Sequence, residues 1–235
     1  MACALVLARA PVAGACKTRL EPLLGPDGCA RLQRALVLRA ARWAAAAAPG
    51  AAFLAYTPAA AGDLMRALVP AGVHLLPQSD GDLGRRIAAA AAHVLAAAGG
   101  PLLLVGADVV GLSPGHARAA YDDLADGCDV TIGPATDGGY YLLGMHRAQP
   151  GLLALPAPAW GGPDVLRLTL AAADAAGLHL GLLRAERDLD EPADVHALLA
   201  DPLTPAEVRE ALLGAAAGTG GAGGERPGAP APPRR

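Results

Sequence analysis

The chain has 235 residues, 53% hydrophobic, 3% aromatic and 17% charged, with a formal net charge of −3. That length and apolar fraction suit one large α/β domain, and the absence of a long basic run argues against a nucleic-acid footprint. No uninterrupted apolar stretch of about 18 residues occurs, so no membrane span is expected, and four cysteines without a CxxC pair read as reduced thiols of a cytoplasmic protein.

The first apolar run, residues 3–8, has no basic residue before it and is cut short by Arg9 and Pro11, so it predicts a buried strand and not a signal segment. The loop after it, "ARAPVAGACKTRL", carries Arg9, Gly14, Lys17 and Arg19 among small residues. Helical spacing then covers 26–47, with Asp27 near its start as a cap. A strand at 52–56, a helix at 60–68, a strand at 73–76 and a helix at 83–97 follow. The strand at 102–106 runs into "GADVVGLSP", where Asp108 stands at the strand end and Ser113 caps a helix over 114–124. Strands at 130–132 and 140–145 flank "ATDGGYYLLG", followed by a helix at 163–175 and a strand at 178–183. "RDLDEPAD" and two helices, 192–199 and 205–213, complete the pattern. Repeated strand–helix alternation predicts a mostly parallel sheet covered on both faces. Residues 1–213 read as one domain, and 214–235, rich in Gly, Pro and Ala, as a disordered tail.

Ligands of an open α/β sheet bind outside the carboxyl ends of the strands. A small-residue loop with cations after the first strand can wrap a diphosphate, although it is neither GxxxxGK[ST] nor GxGxxG. Strand-end carboxylates beside such a loop are how Mg²⁺ or Mn²⁺ is held, with substrate phosphates supplying further oxygens. The glycines after Asp137 would let a ligand approach the backbone, making a pocket floor. Each feature also has a plain structural reading: Lys17 and Arg19 as solvated charges, Asp108 as a turn residue, Gly138–Gly139 as a hairpin turn, Asp188 and Asp190 as loop acids, Trp160 as packing. The six histidines lack HxxxH spacing, so zinc is not expected. Cys16, beside Lys17, could be an activated thiol.

Six stretches in order, "ARAPVAGACKTRL", "PQSDGDLGRRI", "GADVVGLSP", "GPATDGGYYLLG", "AWGGPDVL" and "DLDEPADV", resemble the bacterial GT-A-like glycosyltransferases of the arsenosugar-biosynthesis type. That family is related to molybdenum-cofactor and phospholactate nucleotidyltransferases. The resemblance runs from about residue 4 to 200, and "PATDGGYYLLG" is its most diagnostic part. It implies a three-layer α/β/α nucleotide-diphospho-sugar transferase fold, Rossmann-like, with a mostly parallel mixed sheet. It implies that Arg9, Gly14, Lys17 and Arg19 bind the nucleotide phosphates and that Asp108, with Asp190, binds Mg²⁺ or Mn²⁺. Asp137 becomes the candidate base, with Lys17 as its catalytic partner, and Gly138, Gly139, Tyr140 and Trp160 line the substrate pocket. In the family an acid or small polar residue, then Pro, follows the first Asp; here Val109 and Val110 do, which leaves metal binding to Asp108 with help from Asp137 or Asp190. The expected activity is glycosyl transfer from a nucleotide-diphospho-sugar to a small-molecule acceptor. The alternatives are nucleotidyl transfer from an NTP with release of pyrophosphate, or a non-catalytic nucleotide- or sugar-binding protein.

Overall fold

The computed structural model describes residues 1–218. Seven strands form one sheet: β1 (Cys3–Arg9), β2 (Ala52–Thr57), β3 (Val73–Pro77), β4 (Leu102–Gly106), β5 (Val130–Pro134), β6 (Tyr140–Met145) and β7 (Leu180–Leu182), in the order β3-β2-β1-β4-β6-β5-β7. All neighbours pair in parallel except β6, which runs antiparallel to β4 and β5. The carboxyl ends of β1, β4, β5 and β7 therefore share one edge with the start of β6.

Eight α-helices are described: α1 (Glu21–Ala47), α2 (Gly62–Leu68), α3 (Leu83–Ala98), α4 (Pro114–Ala125), α5 (Pro150–Leu153), α6 (Val165–Ala175), α7 (Pro192–Ala200) and α8 (Ala206–Gly218). α1 packs on β1 and β2 and touches α4 and α8, whereas α3 packs on β1 and β4 and touches α5, which touches α6. β1 is almost continuously buried, as a strand covered on both faces must be. The main core lies between sheet and helices. A second apolar cluster, built from α1, α7 and α8, takes in Leu20, Val110 and Leu189 from the loops at the sheet edge.

Helix starts follow local chemistry. Asp82 caps α3 by accepting from the Arg85 N–H at 2.9 Å, and Ser113 caps α4 in a reciprocal box with His116. Asp27 is not a cap. α1 begins at Glu21 and kinks at Gly25 (φ 67°, ψ 166°), so Pro26 opens the second stretch and Asp27 already lies inside it. α8 runs on to Gly218, and the rest of the expected tail lies outside the described residues.

Candidate functional site

A cavity of about 510 Å³ opens where β1 and β4 stand side by side, the point at which the strand order reverses direction. Among the sequence-derived candidates, Arg9, Lys17, Arg19, Asp108, Asp137, Gly139, Tyr140, Trp160 and Asp190 line it; Gly14 and Gly138 do not.

Lys17 is the point on which the site converges. It has a left-handed backbone (φ 51°, ψ 38°), a conformation that costs a non-glycine residue about 1–3 kcal/mol and persists only when its surroundings hold it there. Its side chain is 4% exposed, and its ammonium lies 2.6 Å from Asp108 Oδ1 and 3.6 Å from Asp190 Oδ1. It also donates to the Leu189 carbonyl at 2.6 Å. Arg19 donates to Asp190 Oδ2 at 2.7 Å. Arg9 Nη1 donates to the Ala15 carbonyl, closing the loop on itself. Gly14 (φ 72°) supplies a turn in that loop, and a Cβ there would meet open space. Cys16 is buried, its thiol donating to the Val12 carbonyl, and burial pushes its pKa up, the opposite of an activated thiol.

The loop bearing Asp108 is pinned from several sides. Val109 pairs with Asp188 across an isolated bridge, and the Leu189 N–H donates to the Asp108 carbonyl at 3.2 Å. Val110 is buried in the second cluster, which accounts for an apolar residue there. Arg39 donates to the Val110 and Leu112 carbonyls at 3.1 and 3.0 Å, and Trp43 Nε1 to the Ser113 carbonyl at 2.9 Å.

Asp137 sits in the β5–β6 connection, where its Oδ1 accepts from the Gly139 N–H at 2.8 Å, an Asx-type turn. The hairpin reading of the glycine pair and the pocket reading thus coexist. Gly139 lines the cavity, while Gly138 (φ 93°) packs its backbone against the start of α6; a Cβ there would strike the Pro163 carbonyl. The two tyrosines separate: Tyr141 is buried beneath Gly133 and donates to the Arg184 carbonyl, and Tyr140 has a buried hydroxyl near Thr169 whose pKa is raised by that burial. Trp160 reaches the cavity by lying over Gly84 in the first turn of α3, where only a glycine leaves room for the indole.

Asp188 faces the same space. Burial pushes its carboxyl up to about 6, and the nearby carboxylates of Asp137, Asp194 and Asp190 push in the same direction. Gln33, Gln78 and Arg86 also line the cavity. Gln78 donates to the Ala55 carbonyl at 2.9 Å and accepts from Arg86 at 3.1 Å, so it orients the guanidinium. Arg86 and Gln78 fall inside the stretch "PQSDGDLGRRI", but no spacing assigns either of them a role there. Glu186 was missed as well: its backbone bonds Pro134 and Thr136, and its carboxylate bonds His116.

No group of three or more His, Cys, Asp and Glu spaced to hold a metal ion occurs among the described residues. The donor set nevertheless suits a hard divalent cation that takes one or two carboxylates and completes its shell from substrate phosphates. Asp108, Asp190 and the Leu189 carbonyl already converge on one cation, the Lys17 ammonium.

The sheet order, the single antiparallel strand and the edge cavity define a three-layer α/β/α nucleotide-diphospho-sugar transferase fold. The chain belongs to the bacterial family described as "Uncharacterized protein conserved in bacteria (DUF2064)", whose profile matches residues 40–161. No curated protein matches the sequence significantly. Among solved structures, one from Desulfovibrio desulfuricans G20, provisionally described as a nucleotide-diphospho-sugar transferase, shares 25% identity at a TM-score of 0.78, covering 92% of this chain and 96% of that one. A 4-diphosphocytidyl-2C-methyl-D-erythritol synthase (12% identity, TM-score 0.51, 86% and 99% coverage) shares the fold. So does the inositol-1-phosphate CTP transferase from T. maritima (14% identity, TM-score 0.50, 92% and 96% coverage).

Proposed function

We propose that this protein transfers a glycosyl group from a nucleotide-diphospho-sugar to a neutral small-molecule acceptor. The observation that carries this reading is the division of charge in the cavity. Arg9, Lys17 and Arg19 stand at the β1 loop, and the fourth lining cation, Arg86 of α3, is bonded to Gln78, whereas the wall formed by the β5–β6 connection, Trp160–Gly162 and Asp188 contains Asp137, Asp188 and aromatic rings but no Lys, Arg or His. A diphosphate fits the first region. A sugar fits the second, since carboxylates accept from hydroxyls and an indole packs against a ring face. A second substrate bearing phosphate, as nucleotidyl transfer to a sugar phosphate requires, would meet carboxylates there. The resemblance to arsenosugar-type glycosyltransferases supports the same choice.

Asp108 and Asp190 would hold Mg²⁺ or Mn²⁺, which when bound would supply neutralising charge at the diphosphate. Lys17 and Arg19 bind the phosphates and place positive charge where negative charge grows on the departing nucleotide. Gly139 lets the sugar lie against the backbone. Asp137, held in its turn, accepts the proton of the acceptor hydroxyl. Residues 1–213 act as the catalytic domain, in the cytoplasm.

Incubation with a panel of UDP-, GDP-, ADP-, TDP- and CDP-sugars and the free NTPs, with Mg²⁺, tests the reading through its products. Release of a nucleoside diphosphate from a sugar donor supports it; pyrophosphate from an NTP with a sugar phosphate establishes nucleotidyl transfer instead. Tight nucleotide binding unaffected by EDTA, without turnover, identifies a binding protein.

A further inference from the structure

We propose that Lys17 closes the metal site in the ligand-free protein, so that a divalent cation binds well only together with a nucleotide diphosphate. This rests on the assignment of Asp108 and Asp190 as the metal-holding pair. The ammonium lies between their inner oxygens, at 2.6 Å from Asp108 Oδ1 and 3.6 Å from Asp190 Oδ1, while Arg19 takes Asp190 Oδ2 at 2.7 Å. Two carboxylates are thus matched by two cations. A lysine ammonium has three N–H donors; here the Leu189 carbonyl takes one at 2.6 Å, Asp108 Oδ1 pairs with the charge at 2.6 Å, and Asp190 Oδ1 adds a longer ion pair at 3.6 Å.

A second cation entering this space would meet an ammonium already in place and carboxylates already neutralised. Both carboxylates remain partly open to the cavity, with side chains 47% and 40% exposed, so access does not limit binding; charge does. Displacing Lys17 needs another anion to receive it. A diphosphate supplies one in the loop that Lys17 and Arg19 already frame. Once the ammonium turns to phosphate, Asp108 loses its cation and Asp190 keeps Arg19 alone, so the pair carries unmatched charge and the metal is drawn in. Nucleotide and metal then favour each other's binding by the same factor, as linkage requires. The Lys17 side chain is 4% exposed, so the ammonium is held inside the loop and not in solvent.

The test uses Mn²⁺ alone and the full chain without nucleotide, read by the loss of the free Mn²⁺ EPR signal. Lys17→Met keeps the buried aliphatic stem and removes the charge; it is expected to bind Mn²⁺ about tenfold more tightly than the wild type, within the usual range of such couplings. Lys17→Gln serves as a second neutral variant, and Lys17→Arg, which retains the charge, is expected to stay weak. Folding is checked by circular dichroism. Adding Asp108→Asn to Lys17→Met should abolish the gain. Equal or weaker Mn²⁺ binding in folded Lys17→Met and Lys17→Gln overturns the proposal, and so does tight Mn²⁺ binding by the nucleotide-free wild type. Because no donor sugar enters this experiment, its failure leaves the glycosyl-transfer reading standing, and failure of that reading in the product assay leaves this result intact.

Discussion

His116 Nε2 lies 3.0 Å from Glu186 Oε1, and this bond joins the first turn of α4 to the segment after β7. Glu186 also donates its N–H to the Pro134 carbonyl and accepts from the Thr136 N–H, so one residue links the connections that carry Asp108, Asp137 and Asp190. Since Nδ1 of His116 accepts from the Ser113 N–H at 3.1 Å, the proton resides on Nε2 and points at the carboxylate. His116→Ala removes the buried partner of Glu186 Oε1 and leaves it the exposed Arg184 guanidinium at 2.7 Å. We expect a loss of about 1–3 kcal/mol, which for a chain of this size lowers Tm by roughly 2–4 °C per kcal/mol. Calorimetry checks it, and an unchanged Tm would show that the backbone bonds alone hold the three connections.

If Lys17 holds the donor diphosphate, Lys17→Ala removes one or two charge-assisted hydrogen bonds to it. Nucleotide binding should weaken by about 1.5–3 kcal/mol for each. Isothermal titration with the best donor from the substrate panel measures this. Full affinity in a folded variant would remove Lys17 from the phosphate site.

Asp137→Asn keeps an oxygen that can accept from the Gly139 N–H, so the turn should survive with little change in Tm. If Asp137 is the base, turnover falls by about 10²–10⁴-fold. Near-normal turnover would assign the residue to the turn alone.

The two neighbouring glycines should behave differently. A Cβ at Gly139 would stand 3.2 Å from Asp137 Oδ1, beside the cavity, so Gly139→Val should impair turnover more than stability. Gly138→Ala, at φ 93° and against Pro163, should act in the reverse order, with a clear drop in Tm. Paired measurements of melting and turnover on both variants separate these effects.

Arg39 offers a check on the clamp behind Asp108. Its planar fork spans the Val110 and Leu112 carbonyls and Glu207. A lysine cannot reproduce that geometry, so Arg39→Lys should cost roughly 0.5–1.5 kcal/mol for each bond lost. Denaturant titration reads the change. A chain ending at Gly218, by contrast, keeps Val208 and Leu212 of α8 in the second core and is expected to retain its midpoint.

Much of this architecture was legible in the residue order. Strands buried on both faces appear as uninterrupted apolar runs, and β1, β2 and β4 were placed within a residue or two for that reason. The long stretch of α1 does open at Pro26 as the spacing predicts, because Gly25 (φ 67°, ψ 166°) leaves the helical region; the short helical turn from Glu21 to Leu24 ahead of it was not legible. Glu186 carries no motif, because its role lies in a contact with His116, 70 residues away; Arg86 and Gln78 both fall in the quoted stretch "PQSDGDLGRRI", but their pairing appears only once α3 is folded against the end of β3.

By itself the sequence determined the alternation of elements, and hence that cationic and acidic loops fall at the carboxyl ends of strands, because apolar periodicity and helix-start chemistry are local properties. Only the tertiary structure decided how those charges pair. Chain order says nothing of whether the Lys17 ammonium waits for a phosphate or rests against Asp108, Asp190 and the Leu189 carbonyl. That choice is electrostatic and depends on distance in space: a side chain 4% exposed must neutralise its charge with whatever oxygens the strand order β1-β4 and the segment after β7 bring within reach.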